Sequence, residues 1–127
     1  MYKVKLTNFV KKMELKNLLP DIDIEGININ KSGVNRIALQ LTGFFDYFDT
    51  DRIQVIGKVE YAYCQQIDKK HMRSILEKIF DKKIPCIVYC WGLEPSELVL
   101  DLAEEYGIPI FSTDIRTSDF IAEAVRW

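Results

Sequence analysis

Histidine is nearly absent from this chain: His71 is the only one in 127 residues. That excludes a zinc site of the HExxH type, which needs two histidines one helical turn apart. Cysteine is scarce and odd in number, with Cys64, Cys86 and Cys90 and no CxxC pair. Reduced thiols follow from that count, because a small secreted scaffold would carry an even, denser set. Cys86 and Cys90 look close, but on a strand they stand ~13 Å apart, too far for one disulfide or one ion. Glycine is thinly spread, and no two of the 6 lie within five residues of each other. GxxxxGK[ST] and GxGxxG are both absent, which removes the two common phosphate-cradling loops. The charge balance lacks a basic excess, with Lys+Arg 17 against Asp+Glu 19 and a net charge of −2. A nucleic-acid partner is therefore not expected. No apolar run approaches the ~20 residues that span a bilayer, and Met1 to Val10 carries Lys3 and Lys5 where a signal peptide would be apolar. The expectation is a cytoplasmic protein with no membrane partner and no cofactor or metal in this chain.

What is present is ordinary for one globular domain: 48% hydrophobic and 28% charged residues over a length that gives one core. The second half is the more regular. Asp68 is placed to cap a helix whose apolar stripe is Met72, Ile75, Leu76, Ile79 and Phe80. Ile84-Pro85 ends it. Cys86 to Trp91 is a continuous apolar run and predicts a strand buried on both faces, as in a parallel sheet. Gly92 to Pro95 turns into a helix with Pro95 in its first position and Gly107 as its stop. Ile108 to Phe111 predicts another strand, and Thr117 or Ser118 caps a last helix with Phe120, Ile121, Ala124 and Val125 inward. In the first half, a short helix from Thr7 to Met13, a strand at Ile27–Asn30, a helical spacing over Leu39–Phe48, a strand at Ile53–Gly57 and a helix at Tyr61–Ile67 complete the reading. The class is α/β: a single domain, residues 1–127, with a mainly parallel sheet flanked by helices. The apolar end at Arg126-Trp127 reads as a domain boundary rather than a natural tail.

Few residues suggest chemistry. Asp49/Asp51 and Glu104/Glu105 are paired carboxylates, but solvated charge explains both better than acid–base catalysis. Leu41, Phe44 and Phe48 share a helical face and suit the core. Phe45 and Tyr47 fall off that stripe and are candidates for a partner surface. Arg36, Arg52 and Arg116 are candidate anion contacts. Thr113 joins Arg116 as a candidate, because open α/β sheets take ligands at the carboxyl ends of their strands. Cys64 and Cys90 are the candidates for a nucleophilic thiol.

Two stretches carry a family signal. One is Leu39-Gln40-Leu41-Thr42-Gly43-Phe44-Phe45-Asp46-Tyr47-Phe48, continuing through Arg52-Ile53-Gln54-Val55-Ile56-Gly57-Lys58-Val59-Glu60. The other is Gly107-Ile108-Pro109, then Ser112-Thr113 and Thr117-Ser118. Both resemble the N-terminal domain of bacterial HPr kinase/phosphorylase, and the resemblance covers nearly the whole chain. The sequence departs from the family's Asn-Arg-Pro-Gly-Leu at Asn35-Arg36-Ile37-Ala38-Leu39, which relaxes the backbone restrictions there. The resemblance implies a fold similar to a substrate-binding domain of the Mur peptidoglycan ligases. It implies a parent enzyme that phosphorylates a serine of HPr, the phosphocarrier of the sugar phosphotransferase system, and removes that phosphate by phosphorolysis. Such an enzyme sets carbon catabolite repression and assembles as a hexamer. Its ATP and magnesium sites belong to a C-terminal kinase domain outside this sequence, so no catalytic residue is carried onto this chain. The expected partners are that kinase domain, neighbouring copies in the oligomer and, for the parent, HPr. The expected role is non-catalytic, in regulation or assembly. A stand-alone module that binds a small ligand or a protein is the alternative.

Overall fold

Met72, Ile75, Leu76, Ile79 and Phe80 are all buried, so the stripe seen in the sequence is the inner face of a helix. The Asp68 carboxylate accepts the His71 N–H at 2.8 Å and starts it. This is α4 (Lys69–Asp81) in a computed structural model that describes residues 3–126. Met1, Tyr2 and Trp127, with the aromatic chain end noted above, lie outside the described residues.

The elements before it are β1 (Val4–Lys5), α1 (Leu6–Lys12), β2 (Lys16–Asn17), β3 (Asn28–Ile29), β4 (Val34–Arg36), α2 (Ala38–Leu41), β5 (Ile53–Ile56) and α3 (Lys58–Gln66). After it come β6 (Ile87–Tyr89), α5 (Glu97–Tyr106), β7 (Ile110–Ser112) and α6 (Thr117–Ala124). β1 and β3 form a small antiparallel pair. The main sheet runs β2-β7-β6-β5-β4. Its four strands from β4 to β7 are mutually parallel, with Arg36 opposite Val55, Val55 opposite Val88 and Val88 opposite Phe111. β2 pairs antiparallel with β7 at one edge.

This order positions the site. From β4 to β7 the chain steps to the next strand in one direction each time. Right-handed crossovers of constant direction put their helices on one face. α2, α4 and α5 accordingly pack with Ile56, Ile87, Tyr89 and Ile110, and α3 adds Tyr61 and Cys64 to that layer. The opposite face, with Val55, Val88 and Phe111, is covered by α1 and α6, where Phe9 and Phe120 meet edge-to-face at 6.3 Å. α3 and α6 thus leave the C-terminal edge of the sheet toward opposite faces. That divergence is where open α/β sheets form a crevice.

Several expected boundaries shift. The helical spacing over Leu39–Phe48 yields only α2. Gly43 takes φ +97, and the Phe44 N–H turns back to the Leu39 carbonyl at 3.1 Å. A left-handed glycine ends the helix before the aromatic cluster. The cap of α5 is Ser96, whose hydroxyl accepts the Val99 N–H at 3.3 Å, so Pro95 precedes the helix instead of opening it. The last helix is not capped by Thr117 or Ser118: Arg116 holds the cap position without a side-chain hydrogen bond, and Thr117 is the first helical residue. Val125 faces solvent rather than the core. Ile37 is buried in the α2 layer, so in this chain the departure at Ile37-Ala38 has a packing role.

Gly107 ends α5 as expected, with φ +73 and its N–H on the Glu104 carbonyl. A Cβ there would meet nothing within 4 Å, so an alanine would suffer only the left-handed backbone. Gly107→Ala is expected to cost about 1 kcal/mol and lower the melting temperature by about 3–5 °C. Thermal unfolding followed by circular dichroism checks this.

Candidate functional site

Four elements bring side chains together at the C-terminal edge of the sheet. Arg36 is the last residue of β4, Gly57 follows β5, Cys90 follows β6 and Thr117 begins α6. Arg36 and Glu60 meet as a fork, Nε to Oε2 and Nη2 to Oε1, both at 3.0 Å. The Gly57 N–H also donates to Glu60 Oε1, at 2.7 Å. Glu60 sits three residues after the cap position of α3, the place from which a glutamate reaches back to the cap's N–H. Burial alone would raise the Glu60 pKa. The hydrogen bonds from Arg36, Gly57 and its own N–H outweigh burial and hold it below the ordinary value. The Arg36 guanidinium is shifted up, chiefly by its hydrogen bond to Glu60. The carboxylate side chain is 3% exposed and the guanidinium 44%, so the pair has one foot in water.

Gly57 is required by space here. Its backbone is extended, with φ −108 and ψ −164. A Cβ would clash with Thr117 Oγ1 and lie 3.0 Å from Arg36 Nη2 and 3.2 Å from Glu60 Oε1. The Thr117 hydroxyl is buried with no well-formed hydrogen bond, though it acts weakly on the Cys90 thiol. Burial pushes that thiol up to about 11, against the downward pull of Thr117 and Arg36. Cys64 is also pushed up to about 11 by burial, and Cys86, fully enclosed, goes higher still. Protonated thiols react slowly. An Ellman's titration of the native protein at neutral pH is expected to leave Cys86 and Cys90 unmodified and to reach Cys64 slowly. All three should react at once in guanidinium chloride. A fast native burst from one thiol would revive a nucleophilic cysteine.

Beside this cluster, Trp91 and Gly92 both take φ +63 in a tight turn closed by the Leu93 N–H on the Cys90 carbonyl at 3.2 Å. A tryptophan in that conformation is strained. Lys58 places its Nζ 3.7 Å over the Trp91 ring, a cation–π contact that offsets part of the strain.

The expected site residues are dispersed. Arg36 lies in the cluster, committed to Glu60. Arg116 stands next to Thr117 but is exposed and paired with Asp119 at 3.1 Å. Thr113 caps its own turn, weakly accepting the Ile115 N–H at 3.5 Å. It lines a groove of about 400 Å³ whose rim mixes Lys12 and Lys16 with Glu14, Asp114 and Glu123. Arg52 lies at the opposite, N-terminal end of β5, paired with Asp49 at 3.2 Å. Phe45 is corrected: it turns inward and packs on Phe48 at 6.0 Å, while Phe44 is the exposed ring. With the helix ended at Leu41, helical spacing no longer decides which ring faces out. Tyr47 is fully exposed, at φ +60. Gly57, Glu60 and Thr117 were missed. The glycine three residues before a glutamate was a legible capping signal; nothing local marks Thr117.

A family model described as HPr Serine kinase N terminus matches residues 4–127. The chain belongs to this family. It is 54% identical to an HPr kinase/phosphorylase of Lachnoclostridium phytofermentans over 127 residues, all of this chain and 41% of that one. It is 35% identical to one of Caldicellulosiruptor bescii over 95% of this chain and 39% of that one. The chain thus spans about two-fifths of these relatives. Among solved structures, the CBS and DRTGG domains of the regulatory region of Clostridium perfringens pyrophosphatase, complexed with the activator diadenosine tetraphosphate, match with a TM-score of 0.62 at 16% identity. That match covers 95% of this chain and 45% of the other, and at such identity it shows a shared fold alone. No helix among the described residues is long and apolar enough to cross a membrane.

Proposed function

We propose that this family domain is the non-catalytic regulatory or assembly part of a cytoplasmic HPr serine kinase/phosphorylase, acting in carbon catabolite repression. ATP and magnesium then bind a C-terminal kinase domain, HPr is the substrate of that domain, and the parent assembles as a hexamer. The observation that carries this reading is the coverage: the N-terminal family model matches residues 4–127, while the relatives named for the kinase are about two and a half times as long. The site geometry is consistent with it. The buried Glu60 carboxylate at the strand ends is spent on Arg36 and Gly57, which holds the fold instead of waiting for a proton. The likeness to a Mur-ligase substrate-binding domain is part of the same proposal.

The test is phosphoryl transfer. The purified chain, incubated with HPr, ATP and magnesium, should give no phosphoserine, while a full-length relative under the same conditions does. Phosphoserine formed by the clean 127-residue chain would overturn the proposal.

A further inference from the structure

A second cavity lies on the α3, α4 and α5 face, over the carboxyl ends of β5 and β6, and encloses about 230 Å³. Its floor is apolar, from Ile56, Met72 and Val99. The Tyr61 ring meets Tyr89 edge-on at 6.3 Å, and its hydroxyl donates to the Glu94 carbonyl at 2.7 Å, which ties α3 to the segment leading into α5. Tyr89 is 3% exposed, lines the same cavity, and its hydroxyl makes no hydrogen bond among the described residues. The Tyr89 hydroxyl is not among the buried polar atoms left without a partner, so it opens into the cavity and is free to donate to a molecule there. Cys64 is the nearby thiol. Burial raises both groups, so both stay protonated and offer hydrogen. Among the described residues, no charged side chain lines this cavity.

We propose that the cavity over Ile56, Met72 and Val99 binds a small neutral ring compound whose hydrogen-bond acceptor meets the Tyr89 hydroxyl. The volume falls below the ~300 Å³ at which drug-sized pockets begin, so one ring fills it. Among the polar groups of the wall, the Ser96 hydroxyl accepts the Val99 N–H and Gln65 brings an amide that can donate or accept, while the Tyr89 hydroxyl has no protein partner. A carbonyl on the ligand meets the Tyr89 hydroxyl as its acceptor. A charged ligand would lose hydration with no counter-charge to replace it. The cavity shares no lining residue with the Arg36–Glu60 clasp and goes beyond the proposed role, since it would stand whether or not a kinase domain follows.

The experiment uses the isotopically labelled 127-residue chain and titrates benzamide against its charged isostere benzoate, with two-dimensional NMR as the readout. Benzamide is expected to shift the Ile56, Met72 and Val99 methyl signals saturably, and benzoate to leave them in place. Tyr89→Phe keeps the ring and removes the donor, and should weaken benzamide roughly five- to tenfold. Val99→Phe fills the space and should abolish the shifts; if that variant does not fold, Tyr89→Phe still decides. Absence of saturable shifts at these methyls, equal response to benzoate, or unchanged affinity in Tyr89→Phe would each overturn the proposal.

Discussion

Gly57→Ala should lower the stability of this domain by about 2–3 kcal/mol, a fall in melting temperature of about 8–12 °C. The backbone at Gly57 is extended and would accept alanine, so the loss is steric. The new Cβ would press on Thr117 at the start of α6 and on the tips of Arg36 and Glu60. The tips can move, but only by opening the clasp and leaving Glu60 buried beside fewer donors. The remaining clash is with Thr117, so Thr117→Ala in the same chain should recover part of the loss. Urea unfolding of the single and double variants measures both. A Gly57→Ala protein as stable as wild type would show that the crevice is looser than its geometry states. Gly107→Ala is the contrast, where open space leaves only the backbone conformation to pay for.

Arg36→Ala should be the other large effect, about 2–3 kcal/mol. It leaves a buried carboxylate with its hydrogen bonds from Gly57 and its own N–H and no counter-charge. The loss is below the ~3–5 kcal/mol usual for a broken buried pair, because the guanidinium is 44% exposed and partly screened. The pH dependence carries a sign. In the wild type the folded-state pKa of Glu60 is depressed. Its contribution is therefore fully present above the unfolded value of about 4.3 and is lost as pH falls through the lower folded value. Without Arg36, burial dominates and the folded pKa should rise above the unfolded one. The variant then loses stability as pH rises through that higher value, the reverse of the wild type. Glu60→Gln added to Arg36→Ala removes the buried charge, so it should recover stability at neutral pH and flatten the difference between the two profiles. Parallel pH profiles for wild type and Arg36→Ala would contradict this assignment.

The parts legible in the sequence were those whose period is local. The α4 stripe from Met72 to Phe80 and the Gly107 stop depend on residues within a few positions and are where the pattern put them, while the Cys86–Trp91 run is buried through Cys90 but pairs only over Ile87–Tyr89, with Trp91 turning out at φ +63. The first half was harder, because β1, β2 and β3 are two residues long and too short to alternate. Gln54 is fully buried yet polar, since its side chain binds Asn35 and the carbonyls of Asp49 and Arg52. Such a residue reads as exposed until its partners are known. The aromatic cluster misled for a similar reason: Gly43 breaks the helix and reverses which of Phe44 and Phe45 faces inward. Arg36 and Glu60 are 24 residues apart and Gly57 and Thr117 are 60 apart, so the clasp exists only once β4, β5 and α6 are in place. The Tyr89 cavity is likewise a product of helices folding over strand ends.

The role proposed for this domain is tested most directly on a full-length relative, with and without the segment equivalent to residues 4–127. Its mass in solution and its phosphorylation of HPr would be measured on the same samples. A regulatory or assembly domain predicts that the truncated enzyme still transfers phosphate, yet changes its oligomeric mass or its response to metabolites. A truncated enzyme identical to the intact one in mass and in regulation would contradict that role.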